Sequence, residues 1–487
     1  MSVLNKNDCY QALLARDVRF DGCFFTCVTT TKIYCRPLCT AKTPQAENCF
    51  FVTLAAEAEA KGFRPCLRCR PELAPGMSSI EATYRLARHV KQLLDDGFLS
   101  DSDEVELAMH LNVSARHVRR VFKDEFGISL VSYLQTKRLL IAKQLLTETH
   151  LPITEIAFAS GFSSLRRFNA LFKENYRMAP STLQKSKTRE NQAKHLDILI
   201  PYRPPFSWTT HLEFLKMRAV GGVESIYDDS YFRSVKINHG KKVVCGWIAV
   251  TCDQKRNALK LRVDPILTQY FPAILVRVKH LFDVNCRPDL IEAVLGENLV
   301  QQKGLRLPGS FDGFEMAIRA IMGQQVTVKD ASTLTSRLVA KFGTEFDSPF
   351  KGVTHIFPQA QMIAAVPAES IRQIGIPLPR AKAIVALALA VASGELRLEP
   401  GENVEEQMRR LNSLPGIGLW TAQYIAMRAL AWPDAFLPTD LGVLKSLQTR
   451  NAKEAEIISE AWKPWRSYAV MHLWHRISQP KKLEKRK

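Results

Sequence analysis

No stretch of the 487 residues is apolar for long enough to cross a membrane; the longest such run, Ala383–Ala392, is about half a span and predicts a buried helix. The opening MSVLNKNDCYQ has no apolar core of the kind that directs export, so a secreted protein is not expected. Acid is in deficit, 48 Asp and Glu against 67 Lys and Arg, for a formal charge of +19. That balance favours polyanionic partners, nucleic acid first and an anionic membrane surface second. Apolar residues at 46% and charged residues at 24% exclude a disordered or fibrous chain. The length calls for several domains rather than one core. Eleven cysteines is an odd number, and without an export signal a disulfide framework is disfavoured. Metal binding or a reactive thiol is the better use for them.

The cysteines are unevenly spread. Eight lie before residue 70, which marks a first domain ending near Pro71–Pro75. Helical periodicity runs from Ser79 to Leu183, and the polar stretch Lys185–Lys194 reads as a linker. From Leu196 to about Asn285 the segments LDILI, RAVGGVESIY, SVKIN, KVVCGWIAVTC and ALKLRV are short and β-branched, and predict strands. Helix returns from Phe311 to the end, closing on a basic tail, KKLEKRK.

Three patterns carry chemistry. Cys35, Cys39, Cys66 and Cys69 form C-x3-C, a gap of 26 residues, then C-x2-C. Two close pairs joined by a loop are what tetrahedral zinc requires, so one Zn2+ per chain is expected, with Cys9, Cys23, Cys27 and Cys49 as competing ligands. On spacing alone such a site is structural. Next, VELAMHLNVSARHVRRVFKDEF and ITEIAFASGFSSLRRFNALFKENY each read as two helices around a tight turn, Asn112–Val113 in one and Gly161 in the other. Ser114 and Ser164 are the expected caps, and Ser132–Leu146 the helix between the units. Arg116, Arg119 and Arg120 in the first unit, and Arg166 and Arg167 in the second, lie on the second helices, where they suit major-groove DNA. Either unit alone reads by default as an ordinary helix pair; two of them about 45 residues apart, joined by one long helix, carry the DNA-binding reading. Last, LPGIGLWTAQY is a helix-hairpin-helix candidate. Gly416 and Gly418 permit close backbone approach, and the free amides at the following helix start, near Thr421, suit a DNA phosphate. Asp440 follows Trp420 by 20 residues; alone it reads first as a helix cap or a surface charge, and only second as a catalytic acid.

These patterns carry resemblances. DGCFFTCVTTTKIYCRPLC with KGFRPCLRCRPE resembles the amino-terminal domain of the Ada methyl-phosphotriester repair family. The resemblance implies that Cys35 is both zinc ligand and methyl acceptor. Arg36, Lys42, Arg64, Arg68 and Arg70 are candidates to hold the flanking phosphates. The paired helical units, with the closing FKENYRMAPS, resemble the AraC/XylS regulator domain. Leu196–Gln479 is similar to the AlkA family of 3-methyladenine DNA glycosylases through PPFSW, LRLPGSFDGFEMAIRAIMGQQVTV, IPLPRAKAI, LPGIGLWTAQYIAMRAL, FLPTD and EAWKPWRSYAVMHLW. It implies Asp440 as the catalytic aspartate and Trp420, Tyr424 and Trp474 as the base pocket. It also puts Gln325 where the family often has an apolar wedge.

The expected fold is multidomain and mainly α. Residues 1–76 form a small α/β zinc domain and 78–187 an all-α double helix-turn-helix domain. Residues 195–290 form an α/β subdomain and 291–487 a helical helix-hairpin-helix glycosylase region. Trp420 stands where bifunctional lyases of this superfamily carry a Schiff-base lysine, which implies a monofunctional glycosylase. The Pro-Cys-His-Arg motif of O6-alkylguanine methyltransferases is missing. A base alkylated at N3 or N7 is cationic and leaves readily, so cationic lesions are the expected best substrates. The resemblances imply double-stranded DNA, alkylated or promoter, as partner, RNA polymerase during activation, no membrane, a monomer, no organic cofactor, and a cytoplasmic, nucleoid-associated bacterial protein. The competing reading is a transcriptional activator whose glycosylase fold only grips DNA.

Overall fold

The structure, a computed structural model, describes residues 6–16, 20–21, 24–52, 55–71, 79–95, 104–111, 113–184, 196–239 and 242–478. The linker expected over Lys185–Lys194, Asn112 of the first turn, Cys23 and the basic tail lie outside the described residues. The architecture is multidomain and mainly helical, with small sheets. Contacts divide the chain into two compact units, 1–91 with 108–130 and 92–107 with 131–487.

The first unit holds a four-stranded sheet. Strand β1 (Phe25–Val28) runs antiparallel to β2 (Ile33–Cys35) and to β3 (Cys49–Val52), and β4 (Arg64–Pro65) runs parallel to β2. Its core is Phe25, Cys27, Tyr34, Val52, Ala58 and Phe63. The same unit contains the second helix of the first helix-turn-helix, Ala115–Phe126. Ser114 caps it by accepting from the His117 amide at 3.2 Å, and Val118, Val121 and Phe122 are its buried stripe.

In the second unit the helix expected over Ser132–Leu146 spans Leu130–Glu148. Helix Ile153–Ala159 and helix Leu165–Tyr176 follow it, with Gly161 at φ +85° in the turn and Ser164 capping through the Arg167 amide. Strands β5 (Leu196–Pro201), β6 (Glu224–Tyr227), β7 (Ser230–His239), β8 (Lys242–Asp253) and β9 (Ala258–Val263) make an antiparallel sheet in the order β5-β9-β8-β7-β6. Along β5, Leu196, Ile198 and Ile200 alternate inward, and they share one core cluster with Leu145, Phe168 and Phe172 of the helical segment before them. Edge strand β5 is covered: Gln144 donates to the Leu199 carbonyl at 2.9 Å and Glu148 accepts from its amide at 3.2 Å.

The strand expected over RAVGGVESIY is cut short. Helix Trp208–Met217 ends at Arg218, and Gly222 turns the chain at φ +89° before β6 begins. The Gly222 carbonyl accepts from the amides of Thr354 and His355, at 2.7 and 2.8 Å, so this backbone ties to the segment around His355 instead of the five-stranded sheet. The helical part centres on Gly313–Met322, capped by Asp312 and buried along most of its length, which packs against helices Leu378–Ala392 and Leu419–Arg428. Ala383, Ile384, Leu387 and Ala388 of the long apolar run are fully buried. A two-stranded ribbon, β10 (Thr344–Glu345) with β11 (His355–Ile356), interrupts the helices without a sequence signal. No helix among the described residues is long and apolar enough to cross a membrane.

Candidate functional site

The parallel pairing of β2 with β4 assembles the first site. It sets Tyr34 beside Pro65, and the Cys66 amide donates to the Tyr34 carbonyl at 3.0 Å, so the two cysteine turns leave the sheet side by side. Sγ atoms of Cys35, Cys39, Cys66 and Cys69 all lie within 4.8 Å of one another, with Cys39 and Cys66 3.9 Å apart. Four sulfurs bound to one zinc at about 2.3 Å would stand about 3.8 Å apart. The four-thiol donor set therefore fits one Zn2+. The competing cysteines are elsewhere: Cys9 and Cys27 belong to other clusters, and Cys49 donates to the Gln45 carbonyl.

Arg36 corrects an expectation. Its side chain is buried, paired through two nitrogens with Asp21, and donates to the Cys69 carbonyl at 3.3 Å. Its backbone amide points at Cys69 Sγ, 3.4 Å away. Arg36 braces the knuckle and is not available to a phosphate. Asp21, absent from the sequence reading, is what neutralises it. Lys42, Arg64, Arg68 and Arg70 are exposed. Arg116, Arg119 and Arg120 are exposed on helix Ala115–Phe126, as are Arg166 and Arg167 on helix Leu165–Tyr176.

The second site is a cleft of about 1690 Å³ in the second unit. Its chemistry converges on Asp440. Oδ1 accepts from the Trp474 indole at 2.8 Å and from the Val443 amide at 3.0 Å, while Oδ2 accepts from the Trp420 indole at 3.2 Å. Asp440 is thus both the cap of helix Leu441–Leu447 and a carboxylate held by two indoles at the cleft wall. Trp420 and Tyr424 are stacked, with centroids 5.4 Å apart and planes 9° from parallel, and Tyr424 meets Trp474 at 6.2 Å. Tyr424 also packs against both main core clusters, so its core and pocket readings hold together.

Sequence reasoning passed over the facing wall. His211, Phe214 and Arg218 recur at helical spacing on Trp208–Met217 and its cap, and all line the cleft. Phe214 lies 6.3 Å from Trp474 at 21°, and the Arg218 guanidinium carbon is 3.7 Å from the Phe214 ring centre. PPFSW marks the start of this helix, but an aromatic at helical spacing reads first as core. Burial pulls Arg218 down to about 10. Burial alone would raise the Tyr424 phenol, but Arg428, Arg218 and Arg319 prevail and hold it below its usual value. Arg428 donates to the Tyr424 hydroxyl at 2.8 Å.

In the hairpin, Gly416 has φ +78°, and a Cβ there would stand 2.8 Å from that of Ala383. Around Gly418 a Cβ would meet nothing, so its surroundings are open to a ligand and not crowded by protein. Helix Leu419–Arg428 starts without a side-chain cap, leaving its first amides available to an anion. The Thr421 side chain is 2% exposed and binds Gln324 at 2.8 Å, so what this residue can offer DNA is its backbone amide in the first turn of the helix. Gln324 also donates to the Gly416 carbonyl at 2.8 Å, and Arg380 donates to the Gln324 carbonyl at 2.6 Å. This pair latches the hairpin to the loop that displays Gln325, which is exposed at φ +53° on the cleft rim.

Four family profiles match in chain order. They are the metal binding domain of Ada over 8–72, a helix-turn-helix domain over 107–186, the AlkA N-terminal domain over 197–312, and the HhH-GPD superfamily of base excision DNA repair proteins over 318–467. A probable bifunctional transcriptional activator/DNA repair enzyme AlkA of Mycobacterium tuberculosis is 32% identical over 488 residues, covering 97% of this chain and 96% of its own. DNA-3-methyladenine glycosylase 2 of Escherichia coli K12 is 35% identical over 274 residues, 56% of this chain and 95% of that one. The bifunctional transcriptional activator/DNA repair enzyme AdaA of Bacillus subtilis is 31% identical over 184 residues, 37% of this chain and 84% of that one. Matched from end to end by the first of these, the chain belongs to the family of bifunctional transcriptional activator/DNA repair enzymes that join an Ada-type metal-binding domain and a helix-turn-helix domain to an AlkA-type glycosylase.

Proposed function

We propose that this protein repairs alkylated DNA at two places and uses one of them to control transcription. In the C-terminal half it is a monofunctional glycosylase that hydrolyses the N-glycosidic bond of alkylated bases of the 3-methyladenine type. The observation that carries this reading is Asp440, fixed by two indole N–H groups at an aromatic cleft beside a hairpin with open backbone amides. A damaged nucleotide flipped from the duplex enters the cleft, and Gln325 fills the gap it leaves. As the bond breaks, Asp440 faces the positive charge growing on the sugar, and water or the carboxylate captures C1′. The helix start near Gly418 holds backbone phosphate throughout.

In the N-terminal half, Cys35 takes a methyl group from a DNA phosphotriester. The sulfur forms the new C–S bond, the methyl C–O bond breaks, and the phosphodiester leaves with the electron pair. Zinc held by Cys35, Cys39, Cys66 and Cys69 would keep these sulfurs as thiolates at neutral pH. The product is a thioether that no side chain reverses, so the domain acts once. Methylation replaces an anionic thiolate with a neutral thioether and weakens repulsion of phosphate. Promoter DNA then binds more tightly through Arg116, Arg119, Arg120, Arg166 and Arg167, and RNA polymerase is recruited. The working form is a monomer in the cytoplasm, at the nucleoid where its DNA lies.

One incubation tests both activities. Full-length protein is mixed with methylated duplex DNA, and the released bases and the mass of the Cys35 peptide are measured together. Released 3-methyladenine and one added methyl on Cys35 are the expected results. A methyl on Cys39, Cys66 or Cys69 instead, or no released base, would overturn the corresponding half.

A further inference from the structure

The second helix-turn-helix is built onto the glycosylase. One continuous core runs from Leu145 and Phe168 of the helical segment through Ile198 and Leu261 of the sheet to Leu473, and Trp474 of the cleft packs against it. Gln144 and Glu148 hold both backbone groups of Leu199 on edge strand β5, at 2.9 and 3.2 Å. Helix Ile153–Ala159 packs against the turn Pro265–Tyr270 that follows β9. Lys279, on helix Phe271–Leu281, is within electrostatic reach of Lys137 and Asp95, themselves paired at 3.0 Å. The division of the chain follows these ties: residues 131–487 belong to one unit, whereas helix Ala115–Phe126, with Arg116, Arg119 and Arg120, falls in the other.

The docked module carries a cluster of cations. Arg166 and Arg167 are exposed in the first turn of helix Leu165–Tyr176. Arg138 is half-buried against the preceding turn, its Nε 3.3 Å from where a Cβ on Gly161 would stand. Among the described residues no acid forms an ion pair with Arg138, Arg166 or Arg167. Burial, and then neighbouring Arg167, hold Arg138 below the usual arginine value, so the cluster repels itself until an anion joins it. A duplex supplies closely spaced phosphates, and lysines or arginines that neutralise them gain affinity whatever the base sequence. We infer that the second helix-turn-helix is a second DNA grip of the glycosylase: through Arg138, Arg166 and Arg167 it holds phosphates of undamaged duplex while the cleft searches the same molecule for a damaged base. Docking makes the second contact intramolecular, so the two sites together hold long DNA more tightly than either does alone. This use of the module needs neither an operator nor methylation of Cys35. The inference rests on the glycosylase reading above.

The experiment measures single-turnover release of 3-methyladenine against protein concentration on two duplexes. One has about 12 base pairs, little more than one helical turn. The other has about 300, roughly twice the persistence length, so that it bends to reach both sites. Full-length wild type is compared with Arg166→Ala combined with Arg167→Ala, each also in a Cys39→Ala background that removes the zinc of the first domain. The paired substitution should raise the half-saturating concentration on the long duplex about tenfold relative to that on the short one, and lower the salt slope on the long duplex by about two. The same ratio is expected in the Cys39→Ala background, because the glycosylase unit carries the grip. Arg166→Lys combined with Arg167→Lys keeps the charge and should stay within about threefold of wild type, since phosphate needs no base readout. Equal shifts on the two duplexes, or none, would overturn the inference. So would an effect that disappears in the Cys39→Ala background, which would return the second helix-turn-helix to the acceptor domain. Release of no 3-methyladenine by wild type from either duplex would remove the glycosylase reading itself.

Discussion

Two arginines enclosed in different regions are settled in different ways. Arg36, in the thiol knuckle, has a fully buried side chain and lies against Asp21, so its charge is cancelled within the domain. Arg218, in the cleft, stands on Phe214 and beside Tyr424 with no carboxylate partner among the described residues. The knuckle is complete without DNA: four sulfurs, one internal ion pair, and a sheet that aligns both turns. The cleft is built differently: Asp440 and Arg218 both line it, with Phe214, Trp420, Tyr424 and Trp474, and no ion pair joins the two charges. A single-use acceptor needs only a fixed sulfur. A turnover site needs charges that meet partners only when the substrate is present.

The largest expected effect separates the two regions outright. Cys39→Ala removes one of four sulfurs, and structural zinc supplies folding free energy directly. The first domain should lose its zinc, measured by metal analysis, and methyl acceptance at Cys35 should vanish, while 3-methyladenine release stays within about twofold of wild type. Loss of base release as well would show that the cleft depends on the knuckle and break the comparison.

Next in size is the contrast between the arginines. Asp21→Asn leaves Arg36 buried and unpaired, and breaking a buried pair costs about 3–5 kcal/mol. The first domain should unfold at markedly lower denaturant than wild type. Arg218→Met removes a half-buried charge with no carboxylate partner among the described residues, and the unfolding midpoint of the C-terminal half should fall far less. Equal destabilisation by both substitutions would mean that Arg218 is paired in solution, and the distinction would disappear.

How much of this was legible in the sequence follows from how local each arrangement is. The four cysteines were readable because each pair sits in one turn and metal geometry leaves few alternatives. Val118, Val121 and Phe122, with the caps at Ser114 and Ser164, were readable because helical period and capping are local as well. Arg36 was misread: its partner Asp21 lies 15 residues upstream with no local pattern to join them. Arg218 was hidden in a segment read as strand, and only the turn at Gly222 shows that it closes a helix instead. Asp440 was visible through its spacing from the hairpin. That it caps a helix and faces the cleft at once depends on Trp474, 34 residues away, whose indole holds the same carboxylate oxygen as the Val443 amide.

Asp440→Asn comes third. It keeps shape and much of the hydrogen bonding but removes the charge facing the developing cation. Terms of this kind are worth about 3–4 kcal/mol, so single-turnover release of 3-methyladenine should fall by roughly two to three orders of magnitude. Affinity for abasic DNA should change far less, because the hairpin amides proposed to hold phosphate are independent of the carboxylate. Near-normal excision by Asp440→Asn would reduce the cleft to a DNA grip.

The smallest effect concerns a third buried charge, Asp283, which lies in the same unit as the cleft. Its carboxylate accepts from the Tyr468 hydroxyl at 2.9 Å and from the Leu307 amide at 3.1 Å. Burial pushes the group up to about 6, against the pull of these donors and of Arg306. An unfolded aspartate titrates near 4, so between about pH 4 and 6 the folded chain keeps a proton that the unfolded chain gives up. The stability Asp283 contributes is therefore fully present below about pH 4 and is lost as pH rises through about 6. The loss amounts to about 3 kcal/mol at neutral pH, from a shift of roughly two units. Asp283→Asn carries no such penalty, because an amide has no proton to lose. The difference in melting temperature between Asp283→Asn and wild type should move in favour of the variant from pH 4 to pH 7 and then stay level. Other carboxylates titrate over the same range in both proteins and cancel in the difference. A difference that is flat across the whole range would show that Asp283 is ionised in the fold, its charge settled by Arg306 in the way that Asp21 settles Arg36.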